Sequence, residues 1–101
     1  MKTEELYKEL CELAKQLGVK IKRDKNAKVS GICMVDDEQI LVLDTKIPVE
    51  KRATIIATEL KRAKIDNRFV KPILRDFIEK QEVQEADYVL IIDYPEETKP
   101  E

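Results

Sequence analysis

The chain has 101 residues, of which 43% are hydrophobic and 40% charged, with a formal net charge of −2. That is the length of one domain, enough to build an aliphatic core without disulfide staples, and no run approaches the roughly 20 apolar residues that cross a bilayer. With no histidine, two glycines and two cysteines, the composition excludes Ser-His-Asp and Cys-His catalysis, every histidine-containing zinc site and a glycine-rich phosphate cradle.

The first element is a helix. Thr3 has an N-cap side chain, Glu4 and Glu5 suit the positive end of the helix dipole, and Leu6, Leu10, Leu13 and Leu17 recur at helical spacing beside Tyr7, Cys11 and Ala14. Gly18 ends it as a left-handed residue. Val19 and Ile21 alternate with Lys20 and Lys22 as on a half-buried strand. A polar turn over Arg23 to Lys28 precedes a second strand, Val29 to Val35. The turn Asp36-Asp37-Glu38 leads to a third strand, Gln39 to Leu43, whose continuous apolar run predicts burial on both faces. Strands two and three are expected as an antiparallel hairpin.

Pro48 suits the first turn of a second helix, which runs to about Lys64. Its main apolar face is Val49, Ala53, Ile56, Ala57, Leu60 and Ala63, with Ile55 making a second, smaller contact. Asp66 and Asn67 break it. Lys71 is extended before Pro72, which opens a third helix with the stripe Ile73, Leu74, Phe77 and Ile78. After a polar stretch, Asp87 to Tyr94 reads DYVLIIDY, a strand. The expected fold is α+β in the order α-β-β-β-α-α-β, a small antiparallel-containing sheet packed by helices. Residues 1–94 form one domain, and 95–101 form an acidic tail expected to be disordered. An N-terminus of MKTEELYKEL has acids where a signal peptide is apolar, which predicts a cytoplasmic protein with Cys11 and Cys33 reduced in the core. The Lys and Glu richness matches proteins of heat-loving organisms.

Charge is uneven. Residues 49–80 hold nine basic and five acidic residues, and residues 81–101 hold seven acids and one lysine. Lys20, Lys22, Arg23, Lys25 and Lys28 form a basic segment, to which Lys61, Arg62, Lys64, Arg68, Lys71 and Arg75 would add in a phosphate-binding reading. Without interleaved aromatics and with a pI near 5.4, solvated faces explain those cations better than nucleic acid. Asp36, Asp37, Glu38 and Asp44 are the carboxylates in which hard-cation chemistry would be sought, but a solvated hairpin turn, where acids are common, explains them far better. No metal or cofactor is expected.

The helix residues Ile55-Ile56-Ala57-Thr58-Glu59-Leu60-Lys61-Arg62, following helix and strands, resemble the core of the zincin-like metallopeptidases, especially the ImmA/IrrE type. Those carry His-Glu-x-x-His on the helix after a short sheet. Thr58 stands where the first histidine would be and Arg62 where the second would be, while Glu59 and Leu60 match. The resemblance covers residues 3–64. It implies a degenerate, metal-free relative, with Glu59 a remnant paired with Arg62 or another cation, since neither threonine nor guanidinium replaces a zinc-binding imidazole. Read without it, Glu59 is a charged surface residue at the edge of the core stripe. Three functional expectations follow. The first is a non-catalytic interaction or assembly domain, joining another copy or a protein partner through the C-terminal strand with Tyr88, Leu90, Ile92 and Tyr94 facing one way. The second is an enzyme or enzyme remnant using Glu59 and nearby carboxylates. The third is weak nucleic-acid binding through residues 20–28.

Overall fold

A computed structural model describes residues 2–26, 31–66, 68, 70–83 and 89–94. The elements run α1 (Thr3–Gln16), β1 (Lys20–Asp24), β2 (Gly31–Val35), β3 (Glu38–Asp44), α2 (Val49–Arg62) and α3 (Pro72–Glu79). The fold is α+β, with three helices beside a three-stranded mixed sheet of order β1-β3-β2. Among the described residues no helix is long and apolar enough to cross a membrane.

The α1 ladder starts one residue before the expected cap. Lys2 accepts the first bond from the Leu6 N–H at 2.9 Å, so Thr3 lies inside the helix and its side chain caps nothing. The other end closes as a Schellman motif. Val19 N–H reaches the Ala14 carbonyl at 2.9 Å, Gly18 N–H reaches that of Lys15 at 3.1 Å, and Gly18 takes φ +82°. Tyr7, Leu10, Leu13, Ala14 and Leu17 are buried.

β2 and β3 form the expected hairpin, with Val35 opposite Glu38 and Ile32 opposite Leu41. Asp36 and Asp37 take φ +50° and +66°, the two left-handed positions of a two-residue hairpin loop, where Asn-Gly is the relaxed sequence. β1 lies parallel to β3 with Ile21 opposite Leu41. The row Ile21–Leu41–Ile32 therefore faces the helices and packs on the core. The expected two-sided burial of β3 is corrected: Leu41 and Leu43 are fully buried, whereas Ile40 and Val42 are half-buried. Side chains alternate along a strand, and the core lies on one face only. Cys33 shares the other face with Ile40 and is exposed, and Cys11 is half-buried, so neither thiol is a fully buried core residue; both are free.

α2 puts Ala53, Ile56, Ala57 and Leu60 into the core, and Ile55 packs against it from the side. It ends at Ala63, followed by Lys64 at φ +55°. α3 has Pro72 at its start after an extended Lys71. Leu74 and Ile78 are buried, but Ile73, read as part of the stripe, is exposed, because a two-turn helix seats one i, i+4 row and turns its neighbour outward.

The expected final strand is not seen among the described residues. Tyr88 lies outside them. Residues 89–94 belong to no ladder. Their alternation is present: Leu90 is buried, Ile92 and Tyr94 pack on the core, and Ile91 points out. Their partners are not a strand. Ile91 N–H donates to Gln39 Oε1 at 2.7 Å and the Gln39 amide donates back to the Ile91 carbonyl. Asp93 N–H donates to the Leu17 carbonyl at 2.9 Å, and the Tyr94 hydroxyl accepts from Asp66 N–H at 2.6 Å. A side-chain amide carries the donor and acceptor of a peptide group, so Gln39 replaces one rung of a ladder.

Candidate functional site

Thr58, Glu59 and Arg62 lie on the last two turns of α2, off its most deeply buried face. Arg62 Nη1 donates to Glu59 Oε1, and the two side chains are only 13% and 14% exposed. The other carboxylate oxygen, Glu59 Oε2, is sealed from solvent without a hydrogen bond among the described residues. Thr58 is half-buried. The helix thus brings the three motif positions together as a near-buried ion pair beside a threonine. Among the described residues no group of three or more Cys, Asp or Glu side chains is placed to hold a metal ion.

The hairpin acids do not meet. Asp36, Asp37 and Glu38 sit at one end of β3 and Asp44 at the other, roughly 20 Å away at strand rise. Glu38 Oε2 accepts from Lys20 Nζ at 2.8 Å, and Asp44 Oδ1 accepts from Lys46 N–H at 2.8 Å, shaping the turn into α2. The basic residues of the second half are largely engaged within the chain. Lys61 donates to the carbonyls of Glu79 and Gln81 at the end of α3, Arg68 pairs with Asp66 at 2.6 Å, and Lys71 pairs with Glu9 at 2.9 Å.

A cluster that sequence reasoning missed surrounds Tyr7. Arg23 Nε donates to the Tyr7 hydroxyl at 2.9 Å, and its Nη2 lies 3.7 Å from Cys11 Sγ. The guanidinium carbons of Arg52 and Arg23 stand 5.0 and 5.6 Å from the centre of the Tyr7 ring, at cation–π range. Hydrogen bonding to Tyr7 is the main reason that the Arg23 guanidinium holds its proton more strongly than usual. The available signal was an aromatic residue on a buried stripe, whose hydroxyl needs a partner.

Two surface grooves flank the sheet. One runs between Gly18, Met34, Gln39 and Ile91. The other lies between α1 and β1, with Cys11 and Lys15 on one wall and Lys20 and Arg23 on the other. Leu90, Ile92 and Tyr94 of the expected interaction strand face the protein's own core; Ile91 faces out. Compared with protein-family models, curated proteins and solved structures, the chain matches none.

Proposed function

We propose that the protein is a non-catalytic assembly module in which two copies join through the free edge of β2, with the outward side of Val89–Tyr94 completing the contact face. The contrast between the two sheet edges carries this reading. β1, KIKRD, has four charged residues in five positions, whereas β2, GICMV, has no charge and no proline. Charge and proline are the usual devices that keep an edge strand from pairing with a second copy of itself. On and beside β2, Met34 is 52% exposed, Val35 46% and Ile91 74%, and Met34 and Ile91 line the same groove. The Ile91 backbone is already fixed by Gln39, so covering its side chain costs no further backbone ordering. Antiparallel pairing of β2 with β2 of a second copy is isologous and closes on a two-fold axis.

The Glu59–Arg62 pair supports the non-catalytic part of the reading, because one Glu59 oxygen is held by Arg62 and the other is closed off from solvent, whereas a general base must lie within hydrogen-bond reach of the proton it takes. A metal-free relative of zincin-like proteins fits the same arrangement. Sedimentation velocity across roughly 10 µM to 1 mM, the range of modest interfaces, tests the assembly. The expected result is a dimer that Met34→Glu and Ile91→Asp each convert to monomer with unchanged circular dichroism, and that Cys33→Ser leaves intact. A chain monomeric throughout, or variants that still dimerise, would overturn it.

A further inference from the structure

The groove between α1 and β1 has features of a peptide seat. Val19 and Ile21 line it, Cys11 and Lys15 contribute from the helix, and Lys20 and Arg23 from the strand; it encloses about 580 Å³. β1 is a terminal strand of the sheet, and among the described residues nothing pairs with its outer edge. A helix beside an unpaired edge strand, with apolar side chains between them, lets an extended peptide add as a further strand. The main chains then hydrogen-bond and every second peptide side chain enters the groove.

Charge selects the peptide. Among the described lining residues Lys15 stands at the Gly18 end and Arg23 at the other, against a single acid, Glu12. We propose that this groove binds an extended acidic peptide as an added strand on β1, with an aliphatic residue on Val19 and Ile21 and acidic residues two positions to either side. The lining favours a peptide over single-stranded nucleic acid: among the described residues it contains no aromatic ring, and stacking on aromatics is the usual complement to charge in single-strand recognition. The peptide takes the β1 edge and the second copy the β2 edge, and the residues that test each, Lys15 for one and Met34 and Ile91 for the other, line different grooves, so either proposal can fail alone.

The probe is a fluorescein-labelled, end-blocked Glu-Thr-Val-Thr-Glu peptide, followed by fluorescence anisotropy at low ionic strength. The expected result is saturable binding, weakened about tenfold by Lys15→Glu, an exposed helix position, as expected for reversal of a rim charge. Replacing the second peptide threonine by proline, which removes a main-chain donor, weakens it similarly. Hydrogen exchange on the wild-type protein adds a readout independent of variant folding: bound peptide slows exchange of backbone amides within Lys20–Asp24. Any of four outcomes overturns the proposal. These are no saturable binding, equal binding of Lys-Thr-Val-Thr-Lys, no change in exchange along β1, or tighter binding of a ten-nucleotide oligothymidylate.

Discussion

Gly18 meets two requirements that no other residue type satisfies together. Its φ of +82° closes α1, and a Cβ at this position would stand 2.9 Å from Asp93 Cβ. The backbone requirement alone costs a non-glycine residue roughly 1 kcal/mol. The steric one adds to it, because Asp93 is tied to the Leu17 carbonyl and cannot simply retreat. Gly18→Ala is therefore expected to lower unfolding free energy by about 2–3 kcal/mol, more than backbone strain alone gives. Asp93→Gly in that background removes the clashing carbon and restores the excess, a coupling that a double-mutant cycle by urea denaturation reads directly. Asp66 offers a second residue-scale check. The Arg68 guanidinium, with help from the Arg68 N–H, holds the Asp66 carboxyl below the usual carboxylate range. A depressed folded-state value means that the pair's contribution is complete above the ordinary carboxylate range and disappears as pH falls through the depressed value. The pair is exposed, so the effect is small and screened by salt. A carboxyl-carbon NMR titration should give a low midpoint for Asp66 that returns toward the ordinary range in Arg68→Ala or at high salt.

Secondary structure was legible wherever local chemistry decides it. The leucine spacing of α1, the left-handed Gly18, the Asp36-Asp37 turn and the proline before each later helix all correspond to observed elements. What could not be read was set by distant residues. Parallel pairing of β1 with β3 depends on the chain returning past β2. The failure of DYVLIIDY to join the sheet depends on Gln39, a polar residue at the start of a strand, reaching an element fifty-two positions away. Period-two alternation correctly gives which side chains of 90–94 face inward, but alternation states burial and not pairing. The clamp has a measurable consequence. Gln39→Leu keeps the side chain's approximate size and removes both bonds to Ile91, so the segment should open locally without global unfolding. Hydrogen exchange should show the Ile91 amide losing protection by about tenfold or more, one lost hydrogen bond's worth, while amides of α1 and β3 keep theirs. Equal loss throughout the chain would mean that the clamp supports the whole fold instead.

At the scale of the molecule, one core joins both long helices, the inner face of the sheet and Leu90 from the far end of the chain. Glu59 and Arg62 meet on α2 as an ion pair, and that was legible because Glu and Arg three apart on a helix are neighbours. The Tyr7–Arg23–Arg52 cluster was not legible, since it draws on α1, β1 and α2 at once. The inequality of the two sheet edges required strand order before it had meaning: a lysine-rich strand and an uncharged one read as ordinary strands until both are known to be terminal. The docking of Asp93 beside Gly18 ties the end of α1 to a residue near the C-terminus. A ribosome emits these in order, so the nascent protein completes its first helix and hairpin while the seat for Leu90 is still vacant. Closure must await residues 89–94, and until they emerge the apolar side chains that seat Leu90 stay uncovered.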